Sequence, residues 1–243
     1  MDRLFPYGLD APPVVRNFAL AAAAVLALQL LSNARLLPIT IIGGEYPAFF
    51  LASGALGMIW SSRFGKVLRR NTLLAGLSWR GDEQVLDIGC GRGLYTVGAA
   101  RRVPNGHVTG LDIWQAEDLS GNSMEAAQRN ADKEGVAGRV SFLECDMRSI
   151  ALPDASMDII VSAWAVHNIY QADGRSAAIS EIWRVLRPGG QVMIDDIRHI
   201  TDYAGEWVSK GGTVRIRRDA SGVFSTLMSF GSLRPAAMFA RKP

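Results

Sequence analysis

Five short apolar runs recur from residue 84 onward, and this series constrains the fold of the chain more than any other feature. Each run has the length of a buried strand, and longer amphipathic stretches separate the runs. The runs are QVLDI (84–88), HVTGLD (107–112), VSFLECD (140–146), MDIIVS (157–162) and QVMIDD (191–196). Strands that alternate with helices need crossover connections, which make the sheet parallel and cover both of its faces. The sequence therefore predicts an α/β fold with a doubly wound, mostly parallel sheet.

Two of the intervening stretches carry signals for helix ends. Asn122 and Glu125 have the spacing of a capping box, and Gly135 is predicted to end the helix that they begin. A second helix is predicted to stop at the Pro-Gly-Gly turn 188–190. Its apolar residues follow the helical spacing at Ile179, Ile182, Trp183 and Leu186. Because doubly wound folds bind ligands at the carboxyl ends of their strands, the residues that follow each run are the candidates for a site.

Two further apolar runs lie near the N-terminus. The first is uncharged between Arg16 and Arg35, roughly the length that crosses a bilayer. The second extends from Leu36 to Trp60 and contains the single charge Glu45. We expect two transmembrane helices, at about 14–32 and 40–62, that form a membrane hairpin.

A basic segment follows the second run. Its four cationic residues are Arg63, Lys66, Arg69 and Arg70. Basic residues beside a membrane segment indicate the cytoplasmic side. We therefore expect residues 1–70 to form the hairpin with a basic juxtamembrane segment, and residues 71–243 to form a domain on the cytoplasmic face of the inner membrane.

Other interpretations of the N-terminal runs remain open at this point. The first run could be a cleaved signal peptide with the small residues 32–34 at its end, although Asp2 and Asp10 make a poor basic lead. The two helices could instead pack on a soluble domain or lie in a hydrophobic groove. The basic stretch 63–77 could lie along the membrane surface, or it could be a solvated connector helix.

The composition excludes several classes of protein. Of 243 residues, 49% are hydrophobic and 20% are charged, which excludes disorder for most of the chain. Two cysteines cannot form a disulfide framework. Because the chain has only these two cysteines and three histidines, no metal site is predicted. A net charge of +3 is too small to indicate nucleic acid, and no nucleic-acid partner is expected.

The first strand of the series runs into a glycine-rich turn, VLDIGCGRG (85–93), which we call the glycine turn over residues 89–93. Glycines there allow the backbone to approach a ligand closely. Leu94 stands where a dinucleotide fingerprint needs glycine or alanine, which argues against a nicotinamide-dependent oxidoreductase. Asp112 ends the second strand where an acidic residue accepts bonds from ribose hydroxyls, and Asp146 ends the third.

With these motifs, roughly residues 80–200 resemble the class I S-adenosylmethionine-dependent methyltransferases of the small-molecule branch, including those that methylate quinones and sterols. The resemblance implies a Rossmann-like sheet and S-adenosyl-L-methionine as cofactor. LRPGG (186–190) matches the turn that precedes the family's fifth strand. The implied cofactor-binding residues are Asp87, Gly89, Cys90, Gly91 and Gly93 at the methionine part, Asp112 at the ribose, Ile113 and Asp146 with Met147 at the adenine, and Ser162 at the end of the fourth strand.

The stretch SAWAVHNI (162–169) faces the transferred methyl group in the family. It lacks the proline-proline-aromatic motif of nucleic-acid methyltransferases, and the paired glutamates of arginine methyltransferases are also missing. His167 is the candidate general base, although it could equally shape the loop through hydrogen bonds. Asp195 and Asp196 could assist it. Trp164 is a pocket wall or plain core, and Tyr203, Trp207 and residues 222–230 either line the acceptor pocket or belong to the ordinary core.

We therefore expect an enzyme, a membrane-anchored methyltransferase whose acceptor is a small, lipophilic molecule and whose other partner is the lipid bilayer. Two alternatives remain: a non-catalytic S-adenosylmethionine-binding scaffold in the membrane, and a methyltransferase of a soluble small molecule. The identity of the acceptor, the methylated atom and the oligomeric state are open.

Overall fold

The computed structural model describes residues 5–115, 119–218 and 234–243. These residues form two compact units. One contains residues 5–68 together with 119–121, and the other contains residues 69–115 together with the remainder of the chain from Asn122. The acceptor-pocket prediction for residues 222–230 lies outside the described residues.

The first unit is built on two helices, α1 (Pro12–Asn33) and α2 (Glu45–Trp60). A five-residue π-helical turn, Ser61–Gly65, connects α2 to α3 (Lys66–Leu74), whose last residues from Arg69 onward belong to the second unit. The first predicted helix agrees with α1 within two residues at each end. The second starts at Glu45 rather than 40 because residues 34–44 form the turn. Ser32 stabilises that turn, because its hydroxyl donates to the Ile39 carbonyl and accepts from the Ile41 amide.

Helices α1 and α2 pack antiparallel, and we call them the hairpin. Gln29 near the end of α1 donates to Glu45 at the start of α2 (2.6 Å), whereas Phe18 lies against Gly54. Small residues permit this close approach, and the buried ones are Ala22, Ala48 and Ala55. A small apolar cluster around Val15 is buried, but many other large apolar side chains of both helices are exposed. Phe49 and Phe50, for example, are 75% and 68% exposed.

The second unit contains a seven-stranded sheet in the order β3-β2-β1-β4-β5-β7-β6. The strands are β1 (Gln84–Ile88), β2 (His107–Asp112), β3 (Val140–Glu144), β4 (Met157–Ala163), β5 (Leu186–Asp196), β6 (Thr213–Arg217) and β7 (Ala236–Arg241). The first five strands are parallel, which confirms the predicted mostly parallel, Rossmann-like sheet. Strand β7 runs antiparallel between β5 and β6, and this pair was not predicted. The order reverses between β1 and β4, so the ligand crevice is expected at their carboxyl ends.

Helices cover both faces of the sheet. They are α4 (Leu94–Ala100), α5 (Met124–Lys133), α6 (Ala172–Val185) and α7 (Ile200–Ser209). Two predicted helix ends were wrong by one residue or more. Ser123, not Asn122, caps α5, because its hydroxyl accepts from the Ala126 amide. Leu186 belongs to β5 rather than to α6, because it pairs with Met157.

Candidate cofactor and methyl-transfer site

The glycine turn lies at the carboxyl end of β1. Gly89, Gly91 and Gly93 have φ values of 68°, 54° and 79°, a left-handed conformation that glycine adopts without steric cost. A Cβ atom on Gly89 would overlap the Cβ of Ala165, which follows β4. The glycine is therefore required where the ends of β1 and β4 meet, at the point where the strand order reverses.

Asp87 lies beneath this turn rather than at its surface. Its carboxyl group is buried and accepts a hydrogen bond from the Thr96 hydroxyl of α4 (2.6 Å). Burial raises the pKa of Asp87 to about 7. Cys90 is also buried, and burial raises the pKa of its thiol well above the usual range. Both side chains are therefore buried beneath the glycine turn rather than exposed at its surface.

Asp112 ends β2 and faces the glycine turn. Its Oδ2 atom accepts from the Gly91 amide and its Oδ1 atom accepts from the Trp114 amide, both at 2.7 Å. The indole Nε1 of Trp114 in turn donates to the Gly91 carbonyl (3.2 Å). Ile113 is half exposed beside them. Sequence reasoning missed Trp114, although an indole two residues past the predicted ribose-binding acid was a visible signal.

Asp146 follows β3, and its carboxylate forms an ion pair with Arg148. Arg148 donates to it from its backbone amide and from its guanidinium at 2.5–3.0 Å. The hydrogen bonds from the Arg148 side chain lower the pKa of Asp146. Met147 points the other way, because its Cε atom lies 3.9 Å from where a Cβ on Gly89 would be. Of these two predicted residues, the structure brings Met147 to the glycine turn and pairs Asp146 with Arg148.

Ser162 supports the site from below. It is fully buried near the end of β4, and its hydroxyl donates to the Ile88 carbonyl of β1 (2.9 Å). This bond fastens the two strands together at the point where the order reverses, so in this structure Ser162 holds a strand rather than presenting a polar group to the crevice.

His167 and Asp196 come together at the ends of β4 and β5. The Nδ1 atom of His167 lies 2.5 Å from Oδ1 of Asp196, and its backbone amide donates to Oδ2 (3.0 Å). Asp196 is fully buried and also accepts from the Ile197 amide. A carboxylate beside Nδ1 restricts the orientation of the imidazole ring, and a general base that acts through Nε2 needs such a fixed orientation.

Asp195 is not part of this pair. Both of its oxygens accept from Arg69 of α3, from Nε and from Nη2, at 2.7 Å each. Consecutive residues of a strand face opposite sides of the sheet, so Asp195 points to the α3 side while Asp196 points to His167. The backbone carbonyl of Asp195 accepts from the amide of Trp164, whose side chain is 45% exposed at the end of β4.

The predicted basic juxtamembrane segment has mostly internal partners. Arg69 pairs with Asp195, and Arg70 is buried, with hydrogen bonds to Asn71 and to the Leu94 carbonyl. Lys66 donates to the carbonyls of residues 7 and 8 and pairs with Asp10. Arg63 lies over the ring of Phe64 at 4.9 Å. Three of these four cations therefore have partners within the folded protein.

Tyr203 and Trp207 belong to the core. They are 1% and 0% exposed, and the Trp207 ring packs edge-on against Trp183 at 4.8 Å. The interpretation of these two residues as ordinary core is therefore the correct one. Within the described ranges, no cluster of three or more His, Cys, Asp or Glu residues could hold a metal ion.

Comparisons with known proteins agree with this geometry. Residues 85–190 match a family model described as "Methyltransferase domain". One relative is the 27-O-demethylrifamycin SV methyltransferase of Amycolatopsis mediterranei, 32% identical over 155 residues, which are 63% of this chain and 52% of that protein. Another is the ubiquinone/menaquinone biosynthesis C-methyltransferase UbiE of Pseudomonas paraeruginosa, 30% identical over 146 residues, 59% of this chain and 50% of that protein. The chain thus spans about half the length of the curated relatives it matches.

Solved structures share the fold. Geranyl diphosphate C-methyltransferase from Streptomyces coelicolor superposes with a TM-score of 0.60 at 15% identity, covering 79% of this chain and 85% of that one. A SAM-dependent methyltransferase from Aquifex aeolicus does so with a TM-score of 0.56 at 18% identity, covering 73% and 92%.

Residues 85–190 match a methyltransferase domain, and solved S-adenosylmethionine-dependent methyltransferases share the fold around them. The curated relatives are named as O- and C-methyltransferases, and these similarities indicate S-adenosyl-L-methionine as the cofactor. The site fits this cofactor, because three glycines in the left-handed conformation leave room for close backbone approach and Asp112 offers carboxylate oxygens for a ribose diol.

Proposed function

We propose that this protein is a membrane-anchored enzyme that methylates a small, lipophilic acceptor at the cytoplasmic face of the membrane. Residues 1–70 are the anchor and residues 71–243 are the methyltransferase domain. The observation that carries the proposal is the joint presence of Asp112 at the glycine turn and the His167–Asp196 pair on the neighbouring strand ends. Asp112 with the glycine turn binds the cofactor, and the His167–Asp196 pair provides the base.

Methyl transfer mainly requires the protein to position the cofactor and the acceptor. S-adenosylmethionine supplies a methyl group on a sulfonium, which is already an activated leaving group. The glycine turn admits the methionine part, Asp112 accepts hydrogen bonds from the ribose and Ile113 lies beside the adenine. When bound, the cofactor would supply the methyl group, and its sulfur would keep the electron pair of the broken carbon–sulfur bond. His167 would take the proton that the acceptor loses, and Asp196 beside its Nδ1 atom holds the ring in place.

The hairpin supports membrane anchoring. Helix α1 is, in the part of the chain that the structure describes, the one helix long and apolar enough to cross a membrane by length and composition, and only 11% of its apolar window is buried. Helix α2 has 16 residues and likewise exposes its large apolar side chains. Helices that are apolar on the outside and unburied by protein need an apolar surrounding, and lipid provides it.

The cytoplasmic placement now depends on the cofactor. Because Lys66, Arg69 and Arg70 have internal partners, the basic segment is a weaker topological signal than its sequence indicates. S-adenosylmethionine is a cytosolic solute, so a domain that uses it belongs on that side. An anchor is useful when the acceptor is itself dissolved in the membrane, because it raises the acceptor's effective concentration at the site. The UbiE relative, named for quinone biosynthesis, favours the same class of acceptor.

A labelled-methyl assay tests the proposal. Membranes from cells that express the full chain are incubated with methyl-labelled S-adenosylmethionine, and the organic extract is analysed by mass spectrometry. We expect label in a lipid-soluble product and a fall of about 10²–10⁴-fold with His167→Asn, which removes the base. His107→Asn, the same substitution at the start of β2 and away from the strand ends that carry the site, is the control and should keep most of the activity.

Three outcomes would contradict parts of the proposal. Label in water-soluble products alone would replace the lipophilic acceptor with a soluble one. Calorimetric binding of the cofactor without transfer into any fraction would favour the non-catalytic scaffold. Full activity of His167→Asn would leave the cofactor site intact and remove the general base.

A further inference from the structure

Trp114 has a backbone conformation that a bulky side chain rarely adopts. Its φ is +47°, in the left-handed region, two residues past the end of β2. Such a conformation is costly for any residue except glycine and persists only when its surroundings hold it in place. Apolar packing does not hold it, because Trp114 is half-buried and belongs to none of the buried apolar clusters formed by residues 5–115, 119–218 and 234–243.

Hydrogen bonds hold it instead, and they form a closed ring of three residues. Trp114 donates its amide to Oδ1 of Asp112, and Gly91 donates its amide to Oδ2 of the same carboxylate. The indole Nε1 of Trp114 closes the ring by donating to the Gly91 carbonyl. Both carboxylate oxygens of Asp112, and both the amide and the carbonyl of Gly91, therefore take part in these hydrogen bonds.

We propose that Trp114 is a positioning residue of the cofactor site. It fixes the rotation of the Asp112 carboxylate and the tilt of the glycine turn before the cofactor arrives. Each carboxylate oxygen uses one lone pair for an amide of this ring and keeps another for a hydroxyl group. A carboxylate fixed in this way presents two acceptors at once to a vicinal diol, and ordering it in advance removes a cost of binding.

Trp114 acts through Asp112 and Gly91, so the part of its effect that passes through Asp112 must depend on the diol of the ligand. This inference rests on the assignment of Asp112 to the ribose. It adds a residue that no motif of the sequence singled out, with a role distinct from that of the half-exposed Ile113, which is the side chain placed to lie beside the adenine.

Calorimetry with S-adenosylhomocysteine on the full chain tests the proposal. Trp114→Phe keeps an aromatic ring and removes the indole donor to the Gly91 carbonyl, which opens the ring of hydrogen bonds around Asp112. We expect affinity to fall by about tenfold, the size of one lost hydrogen bond. Trp79→Phe is the matched control, because the Trp79 indole also donates to a backbone carbonyl, that of Leu74, outside the site. Its affinity for S-adenosylhomocysteine should stay within about twofold of the unsubstituted protein, since the lost bond is structural only.

A double-substitution cycle separates positioning from direct contact. In an Asp112→Ala background, Trp114→Phe should weaken binding by less than it does alone, because the carboxylate that the ring orients is gone and only the effect on the glycine turn remains. Likewise, Trp114→Phe should weaken the binding of adenosine more than that of 2′,3′-dideoxyadenosine, which lacks the diol. An unchanged affinity for Trp114→Phe, or an equal loss in both backgrounds, would overturn the positioning role. If Asp112→Ala itself binds S-adenosylhomocysteine normally, the ribose assignment fails together with this inference.

Discussion

At the scale of single residues, the site depends on carboxyl groups whose surroundings give them different tasks. Asp112 accepts two amides at the rim of the glycine turn, Asp196 holds His167, and Asp87 lies buried against Thr96. Asp87 has the most unusual environment, because burial raises its pKa to about 7. A carboxyl group of this kind binds a proton more tightly in the folded protein than in the unfolded chain.

This difference predicts a pH-dependent stability. An aspartate carboxyl in an unfolded chain has an ordinary pKa of 3.8, so between about pH 4 and pH 7 the folded protein holds a proton on Asp87 that the unfolded chain has lost. The free energy of unfolding should therefore decrease across this window as pH rises, by on the order of 4 kcal/mol, and stay level above it. Asp87→Asn should remove this decrease. Urea unfolding of the cofactor-free protein at pH 5 and pH 8 measures it.

Asp82→Asn is the matched control for Asp87→Asn, since the Asp82 side chain is 63% exposed. It should show the same dependence on pH as the unsubstituted protein. If Asp87→Asn shows that dependence too, then Asp87 is ionised in the folded state across the whole range, and its burial has been compensated by other groups.

At the scale of elements, a largely buried ion pair attaches helix α3 to strand β5. Arg69 reaches Asp195 of β5, 126 residues away in sequence, and both partners are largely removed from solvent, with side-chain exposures of 19% and 1%. Breaking a buried ion pair by removing one partner leaves the other charge buried and unpaired. Replacing both partners with apolar residues avoids that penalty.

Substitutions of this pair should therefore be strongly non-additive. Arg69→Met should lower the free energy of unfolding by about 3–5 kcal/mol, whereas Arg69→Met combined with Asp195→Leu should recover most of the loss. Arg63→Met, in the same basic segment, should cost less than about 1 kcal/mol because it removes a cation–π contact with Phe64 rather than a buried charge. Chemical denaturation of the three variants and the unsubstituted protein measures this. Equal effects of Arg63→Met and Arg69→Met would show that the pair contributes nothing specific.

At the scale of the whole molecule, the hairpin is the feature that a globular domain alone would not need. Its two helices meet through the buried residues Ala22, Ala48 and Ala55 and through a small apolar cluster around Val15, while many of its large apolar residues are exposed. The outward residues include Leu20, Leu30, Leu36, Ile42, Phe49, Phe50 and Leu56. An apolar surface of this kind marks contact with lipid or with another apolar surface.

Charges on that surface should release the protein from membranes. The full chain should float with liposomes in a density gradient, and Phe49→Asp with Phe50→Asp should reduce the floating fraction several-fold, because charge in the bilayer costs about 2.5–3.5 kcal/mol per residue. Tyr170→Asp is the control, since Tyr170 is 90% exposed in the methyltransferase unit. Calorimetry with S-adenosylhomocysteine checks that the unit carrying the cofactor site is folded in the hairpin variant. Undiminished flotation of that variant would contradict the membrane anchor.

The sequence by itself determined the order of strands and helices, the glycine turn and the acidic residue at the end of β2. These are local patterns, since the alternation of apolar runs and the spacing of glycines and acids follow from backbone geometry over a few residues. They were sufficient to predict the mostly parallel sheet, and their resemblance to a known family implied the methyltransferase class and the cofactor. The terminal pair β6–β7 was not predictable in this way, because an antiparallel edge is set by pairing with β5 rather than by local pattern.

The tertiary structure alone decided which side chains meet. His167 pairs with Asp196 and not Asp195, because the loop after β4 lies on one side of β5 and Arg69 approaches from the other. The same basic segment that resembles a topological signal supplies Arg69 and Arg70 to the fold, and the indole of Trp114 closes on Gly91. Each of these contacts joins residues that are distant in sequence or that lie outside helices and strands. Whether such a contact forms depends on tertiary packing, which local sequence spacing does not predict.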